Sequence, residues 1–453
     1  MKSRRTLALA ATTAAAALTL AGCAGSADAG AGAGADGEVD GTGKTLTVMV
    51  AANGLYPEEQ KEWFQKVSDA FEEKTGATVT FETFASANDE LTKIQTSVLS
   101  GQGPDVYGLG TTFTPTAYAT GAFVKLTDAE WDKVGGRDRF VPSLLGISGP
   151  SEEDEVGVPF ASRPFVMAYN KDLLAAAGIS EVPTTWDELT EAAKKTTAGD
   201  VHGLALGYAD NYDPWKFIWG MSVQAGNPLV DVDDKKVRLE DPTVTAAYET
   251  YFGWYRDGLV DPASIGWKNA QAVAAFAEGK AAFLPMTSAV SRAAFADSAV
   301  SDSYAYALLP TVPPGTAERP SGGEDAASIL SGDNLVVAQY SPNQDLAFAL
   351  IEMITSTEWQ VEYFDTFGEL PTGVEAAAEV QKANPELAAN VDAAAKSVAT
   401  PFTGAWGDTQ LALTNVVVQS LPALQSGALT AADIEKAVAV AQSAAQSALD
   451  KSK

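Results

Sequence analysis

From Lys44 onward the chain alternates short β-like runs with capped amphipathic helices, and that order admits little besides an α/β sheet with helices on its faces. Residues 46–51 are an apolar-rich strand, turned by Asn53-Gly54. Pro57, Glu58 and Glu59 then open a helix with proline and acids in its first turn, where the helix dipole favours them. Trp63, Phe64, Val67, Ala70 and Phe71 share one face of that helix, and the stretch 74–76 ends it. A strand over 78–81, a helix carrying Leu91, Ile94 and Val98 that stops at Gly101, and a strand over 104–109 complete the first unit. The grammar returns after Pro159. A strand over 166–169 precedes Thr185-Trp186-Asp187-Glu188, which has capping-box spacing and starts a helix toward Lys195. A helix over 270–278 stopped by Gly279, strands over 281–284, 304–309 and 334–338, a helix opened by Ser341-Pro342 and an Ala-rich helix from Thr430 follow. Two α/β units fit this pattern better than one.

Ahead of the sheet-forming chain stands a leader: Lys2, Arg4 and Arg5, an apolar stretch over 7–20, then Leu20-Ala21-Gly22-Cys23. The tetrapeptide resembles a bacterial lipobox, which implies removal of residues 1–22 as a signal peptide and lipidation of Cys23. Cys23 is the only cysteine in 453 residues, and it stands at the lipobox position. The apolar run is shorter than the roughly 20 residues a spanning helix needs. Residues 24–43 hold almost no large apolar side chain and read, behind the lipidated Cys23, as a flexible linker. The formal charge is −29, and it becomes −32 once the three basic residues of the leader are removed. Such a chain repels phosphate backbones and anionic headgroups, so nucleic acid is a poor partner and membrane contact is expected through the lipid alone.

Four segments, in order, carry a resemblance: Gly103-Pro104-Asp105-Val106-Tyr107; Val182-Pro183-Thr184-Thr185-Trp186-Asp187-Glu188-Leu189; Phe276-Ala277-Glu278-Gly279-Lys280-Ala281-Ala282-Phe283; and Gly332-Asp333-Asn334-Leu335-Val336-Val337. Behind a lipobox they resemble the extracellular solute-binding proteins of ABC importers, specifically the carbohydrate-binding family that includes maltose-binding protein. The resemblance implies a two-lobed fold, each lobe a mainly parallel sheet flanked by helices, with the ligand in the cleft between them. It places chain crossings near Phe160, Leu308 and Pro342. Lobe one then takes residues 44–160 with 309–342, and lobe two 161–308 with 343–453. It also implies a monomeric receptor that closes on its solute and docks on membrane permease subunits, with no cofactor or metal and no catalytic residues.

A sugar needs flat aromatic faces for its C–H surfaces and planar polar groups for its hydroxyls; nine Trp and 13 Tyr supply the first. The stretch 208–219 lies where the family places a stacking aromatic, and in it Trp215 is the leading platform, then Tyr212 and Trp219. Trp406, among Gly and Pro near the C terminus, reads as a second platform on a loop. Alanine at Trp215 or Trp406 is expected to weaken sugar binding and leave the fold intact. From lobe one, Asn53 and the run Thr111, Thr112 and Phe113 match ligand-facing loop positions. Arg163 follows the first crossing and could meet a sugar hydroxyl or an acidic substituent, or form a surface salt bridge. Gly322 and Gly323 suit close backbone approach to a solute or an ordinary loop. Ser288 closes Pro285-Met286-Thr287-Ser288, where many relatives have Gly and an aromatic, so a maltodextrin specificity is in doubt.

Two alternatives stay open. An exported glycoside hydrolase needs only two carboxylates, which this acidic chain has, although no acidic pair lies in a hydrolase motif. The sole histidine, His202, leaves no His-based metal cluster. The same fold could instead bind a polyamine, iron, a peptide or an anion.

Overall fold

Strand Thr45–Ala51 buries Leu46, Val48 and Met49 and pairs in parallel with Thr78–Phe84 on one side and Val106–Gly110 on the other. The structure is a computed structural model that describes residues 39–151, 153–210 and 213–452. Two helices make the crossovers. Pro57–Thr75 has Pro at its start, Glu58 and Glu59 in its first turn, and Trp63, Val67 and Phe71 buried at four-residue spacing. Gly76 closes it at φ 76°, a left-handed conformation that costs glycine nothing. Ala87–Ser100 is capped by Ser86, whose hydroxyl accepts from Asp89 N–H.

The six-stranded sheet runs Leu370–Pro371, Gly157–Ser162, Gly332–Val337, Val106–Gly110, Thr45–Ala51, Thr78–Phe84. Gly332–Val337 is antiparallel to both neighbours because it enters from the other lobe. The second sheet runs Tyr304–Ala307, Val166–Asn170, Ala281–Thr287, His202–Leu204; its last pair is parallel and the others antiparallel. Its core joins Trp186, Leu189, Trp219, Tyr251 and Phe252 to Leu413, Ile434 and Val438 of the two C-terminal helices, Trp406–Gln425 and Ala431–Leu449. Among the described residues no helix is long and apolar enough to cross a membrane.

The chain crosses between the sheets at 163–165, between Gly157–Ser162 and Val166–Asn170. The other two crossings lie later than expected near Leu308 and Pro342. After Tyr304–Ala307 the chain stays on lobe two: Thr311 N–H donates to Thr184 O at 3.1 Å, and the Gln224 amide donates to Pro310 O and Ala326 O at 2.9 Å. It reaches lobe one only at Gly332–Val337. Helices Gln344–Ile354 and Thr357–Phe367 then stay on lobe one, with Leu346, Leu350, Ile351 and Phe367 in the core of Val48, Val67 and Phe71. Phe364, on another face of helix Thr357–Phe367, already joins Phe276 and Phe295 of lobe two, and Val380, Leu387 and Ala393 follow. An apolar stripe says that a helix is covered, not which sheet covers it.

The expected linker over 23–43 is shortened at its end. Gly41 is buried, donates to Thr75 O at 2.8 Å and accepts from Lys44 N–H. Cys23 and the leader lie outside the described residues.

Candidate functional site

In open α/β sheets ligands gather at the carboxyl ends of parallel strands. In lobe one that edge carries Asn53 after the first strand, the start of helix Ala87–Ser100 after the second, and Thr111 after the third. Asn53 is half-buried and its side chain is engaged: Oδ1 accepts from Leu55 and Tyr56 N–H, both at 2.9 Å, building the turn into helix Pro57–Thr75. Thr111 donates through Oγ1 to Leu330 O at 3.0 Å, Thr112 is half-buried, and Phe113 is buried.

The residue on this edge that the sequence reading passed over is Glu90. It sits in the first turn of Ala87–Ser100, is only 4% exposed, and its Oε1 has no hydrogen-bond partner among the described residues. The charge it feels is that of Asp333, of the same sign; burial first and Asp333 second push its carboxyl well above the ordinary range. Next to Asp333, buried Asn334 donates through Nδ2 to Thr114 Oγ1 at 3.2 Å and leaves its Oδ1 unpartnered.

Arg163 stands at the first crossing. Its Nε donates to Glu369 Oε1 at 2.7 Å, Nη2 donates to Glu369 as well, and Nη2 reaches Asp333 Oδ2 at 2.9 Å. This is a part-buried pairing at the hinge, not the surface salt bridge weighed above. The second oxygen of buried Glu369 is unpartnered. Across the cleft, Lys216 on helix Pro214–Gln224 lies 2.6 Å from Asp213 Oδ1 and 4.3 Å over the Phe165 ring. Asn269 donates to Asp213 Oδ2 at 2.8 Å.

The aromatic platforms sit deeper than an open cleft wall. Trp215, Trp219 and Trp406 belong to the lobe-two core and are 3%, 1% and 0% exposed. Trp406 opens helix Trp406–Gln425 rather than riding a loop, and meets Trp215 edge to face at 5.8 Å. Nε1 of Trp406 and of Trp219, and Oε1 of Gln410 one turn beyond Trp406, have no partner among the described residues. Tyr212 lies outside the described residues.

The lobes touch beside Trp406. Thr116 of lobe one donates to Gly404 O at 3.2 Å and accepts from Gly407 N–H at 3.0 Å. A cavity of about 180 Å³ opens next to this seam between Thr111, Pro115, Gly149, Leu330, Thr400 and Phe402. Three of the expected contacts have structural roles of their own. Ser288 caps a short turn, its Oγ accepting from Val290 N–H and its carbonyl from Ser291. A Cβ on Gly323 would stand 2.0 Å from Gln224 O, and Gly322 takes φ 89°, so this pair holds its loop against the end of helix Pro214–Gln224.

The arrangement is two main sheets joined by three crossings, with buried polar groups that lack partners among the described residues close to them. The model of the bacterial extracellular solute-binding protein family matches residues 56–361, most of the chain. The chain belongs to that family. Among its relatives, the diacetylchitobiose binding protein DasA of Streptomyces coelicolor is 31% identical over 367 residues, covering 80% of this chain and 81% of that protein. The fold matches maltose-bound MalE3 of T. maritima at TM-score 0.73, with 21% identity over 88% of this chain and 99% of that one. It also matches the GacH receptor of Streptomyces glaucescens, solved unliganded and with acarbose, at TM-score 0.70 and 22% identity over 92% and 100% of the chains.

In this solute-binding protein buried Glu369 at the first crossing is expected to set a pH dependence. Burial pushes the Glu369 carboxyl up to about 7, with Arg163 opposing and Asp333 adding to the rise. A carboxyl raised on folding holds its proton more tightly in the folded chain. Its stabilisation is therefore complete below the ordinary glutamate value and is lost as pH climbs toward 7. The ligand-free protein is expected to gain on the order of 2 kcal/mol from Glu369 between about pH 7.5 and about pH 5.5. Thermal midpoints across that window should rise on acidification, and Glu369→Gln should flatten part of the rise. A parallel rise in the variant would show that Glu369 is not the group responsible.

Proposed function

We propose that this protein is a lipid-anchored extracellular receptor that captures a sugar or oligosaccharide between its lobes and hands it to an ABC importer, without bond chemistry of its own. The observation that carries this reading is a set of buried polar atoms, at the carboxyl edge of the lobe-one sheet, beside Arg163 and on the helix at the lobe seam, that have no partner among the described residues: Glu90 Oε1, Asn334 Oδ1, Glu369 Oε2, Trp406 Nε1 and Gln410 Oε1. Each such group costs about 1–3 kcal/mol while unsatisfied, and a polyhydroxylated ligand supplies donors and acceptors to several at once. A relative named for diacetylchitobiose, beside structural matches solved with maltose and with acarbose, supports a sugar over other solutes. The lipobox ending at Cys23 supports the anchor, and family membership supports permease subunits as partners. Glu369 and Asp333 are held by Arg163, which suits a binding hinge better than a free acid and base.

Thermal unfolding against xylo-, cello-, malto-, galacto- and chito-oligosaccharides tests this. A ligand at about 100 times its dissociation constant adds roughly 2.7 kcal/mol, enough to move the midpoint. A rise with one series is expected; no rise with any sugar would overturn the reading. In cells, Cys23→Ala should release the protein from the membrane fraction into the medium.

A further inference from the structure

The lobes meet a second time, away from the seam beside Trp406. Tyr56 stands at the start of helix Pro57–Thr75 on lobe one and is 9% exposed. Its hydroxyl donates to Val290 O of lobe two at 2.5 Å. Val290 in turn packs against the lobe-one core of Val48, Trp63 and Phe367, and Leu55 packs against the cores of both lobes. At the end of helix Thr357–Phe367, Arg292 of lobe two lies 4.6 Å over the Phe364 ring, and a Cβ on Gly368 would stand 2.4 Å from Ala289 O. Tyr56 and Val290 each follow the carboxyl end of a strand, Thr45–Ala51 and Ala281–Thr287, the edge at which ligands gather.

The two seams lie on opposite faces of the lobe-one sheet. Tyr56 shares a core with Val48 and Leu335, whereas Phe113 and Ala117, which bracket Thr116, share one with Met49 and Val336. Neighbours along a strand point to opposite faces. Bending the crossing strands toward one face stretches the contact on the other, so the lobes stay closed only while both contacts are made. Burial pushes the Tyr56 phenol up to about 12, with the Ala294 backbone opposing, so the hydroxyl remains a donor across the neutral range. We infer that Tyr56 is a positioning residue for capture: its hydroxyl latches lobe two to the first helix of lobe one and sets how long the closed cleft holds its solute. This rests on the reading of the chain as a receptor that closes on a sugar.

Tyr56→Phe keeps the ring and removes only the hydroxyl. Without ligand, small-angle scattering of the purified variant should give a larger radius of gyration than the wild type. The probe for stopped-flow binding is whichever of the xylo-, cello-, malto-, galacto- or chito-oligosaccharides most raises the wild-type thermal midpoint. It should leave the variant at least about fivefold faster, with association unchanged within about twofold. A lower ligand-free thermal midpoint with both rates unchanged would make Tyr56 a prop of lobe one alone and overturn the inference, as would tighter binding; either result leaves the sugar reading standing. If no sugar binds the wild type, the sugar reading falls and scattering decides the latch: a wild-type radius overturns it and a larger one supports it.

Discussion

Trp406→Ala is expected to cost the fold about 3–5 kcal/mol, the usual toll for emptying a buried tryptophan site, and to lower the thermal midpoint by roughly 10 °C. The indole has no exposed surface, packs with Leu413 and Val416 in the lobe-two core, and supports Trp215 edge to face at 5.8 Å. The expectation that alanine here would leave the fold intact is therefore revised. Trp215→Ala should behave alike on a smaller scale, since Trp215 keeps a slightly exposed edge. Urea unfolding of both variants checks this. A wild-type midpoint for Trp406→Ala would mean that its ring belongs to the cleft wall and not to the core. Trp406→Phe separates the roles further, because it retains most of the apolar volume and removes the unpartnered indole N–H.

Gly407→Leu is expected to reduce ligand affinity at least tenfold with both lobes still folded. Gly407 lies on lobe two, and a Cβ there would come within 2.9 Å of Thr116 Oγ1 and 3.1 Å of a Phe113 ring carbon, both on lobe one. A larger side chain must either displace the Phe113 ring or part the lobes. Phe113 is locked among Met49, Leu91 and Leu109, whereas the lobes are joined by narrow crossings, so parting is the softer response. Apparent affinity falls by the fraction of molecules still able to close. Small-angle scattering should show a larger radius of gyration that no longer contracts on adding ligand. Unchanged affinity would show that the Thr116–Gly407 seam opens without consequence for binding.

Local signals in this chain were readable without coordinates. Thr185 and Glu188 form the reciprocal capping box their spacing suggested, and Thr430 caps the C-terminal helix. Pro57 and Gly76 bound the first helix. Each depends on residues a few positions apart, so the one-dimensional string contains both partners. The cleft is of another kind. Arg163 meets Asp333 and Glu369 from separations of 170 and 206 residues, and no local rule pairs them. Glu90 was hidden by its own normality: an acid in the first turn of a helix is favourable on any surface, and only tertiary burial makes this one costly. The tryptophans posed the reverse problem. Stacking platforms and core anchors use the same residue type, and a Trp215–Trp219 spacing suits either.

The woven connectivity has a consequence for biogenesis. Lobe two cannot close its core until Leu413, Ile434 and Val438 arrive from the last part of the chain, and lobe one waits for the helices that carry Leu346 and Phe367. A chain threaded across a membrane from its N terminus would thus emerge with neither hydrophobic interior complete, and would stay loose enough to pass a narrow channel until the final helices are through. Late, long-range contacts of this sort slow folding, and slow folding would keep such a chain competent for passage until its last helices have crossed.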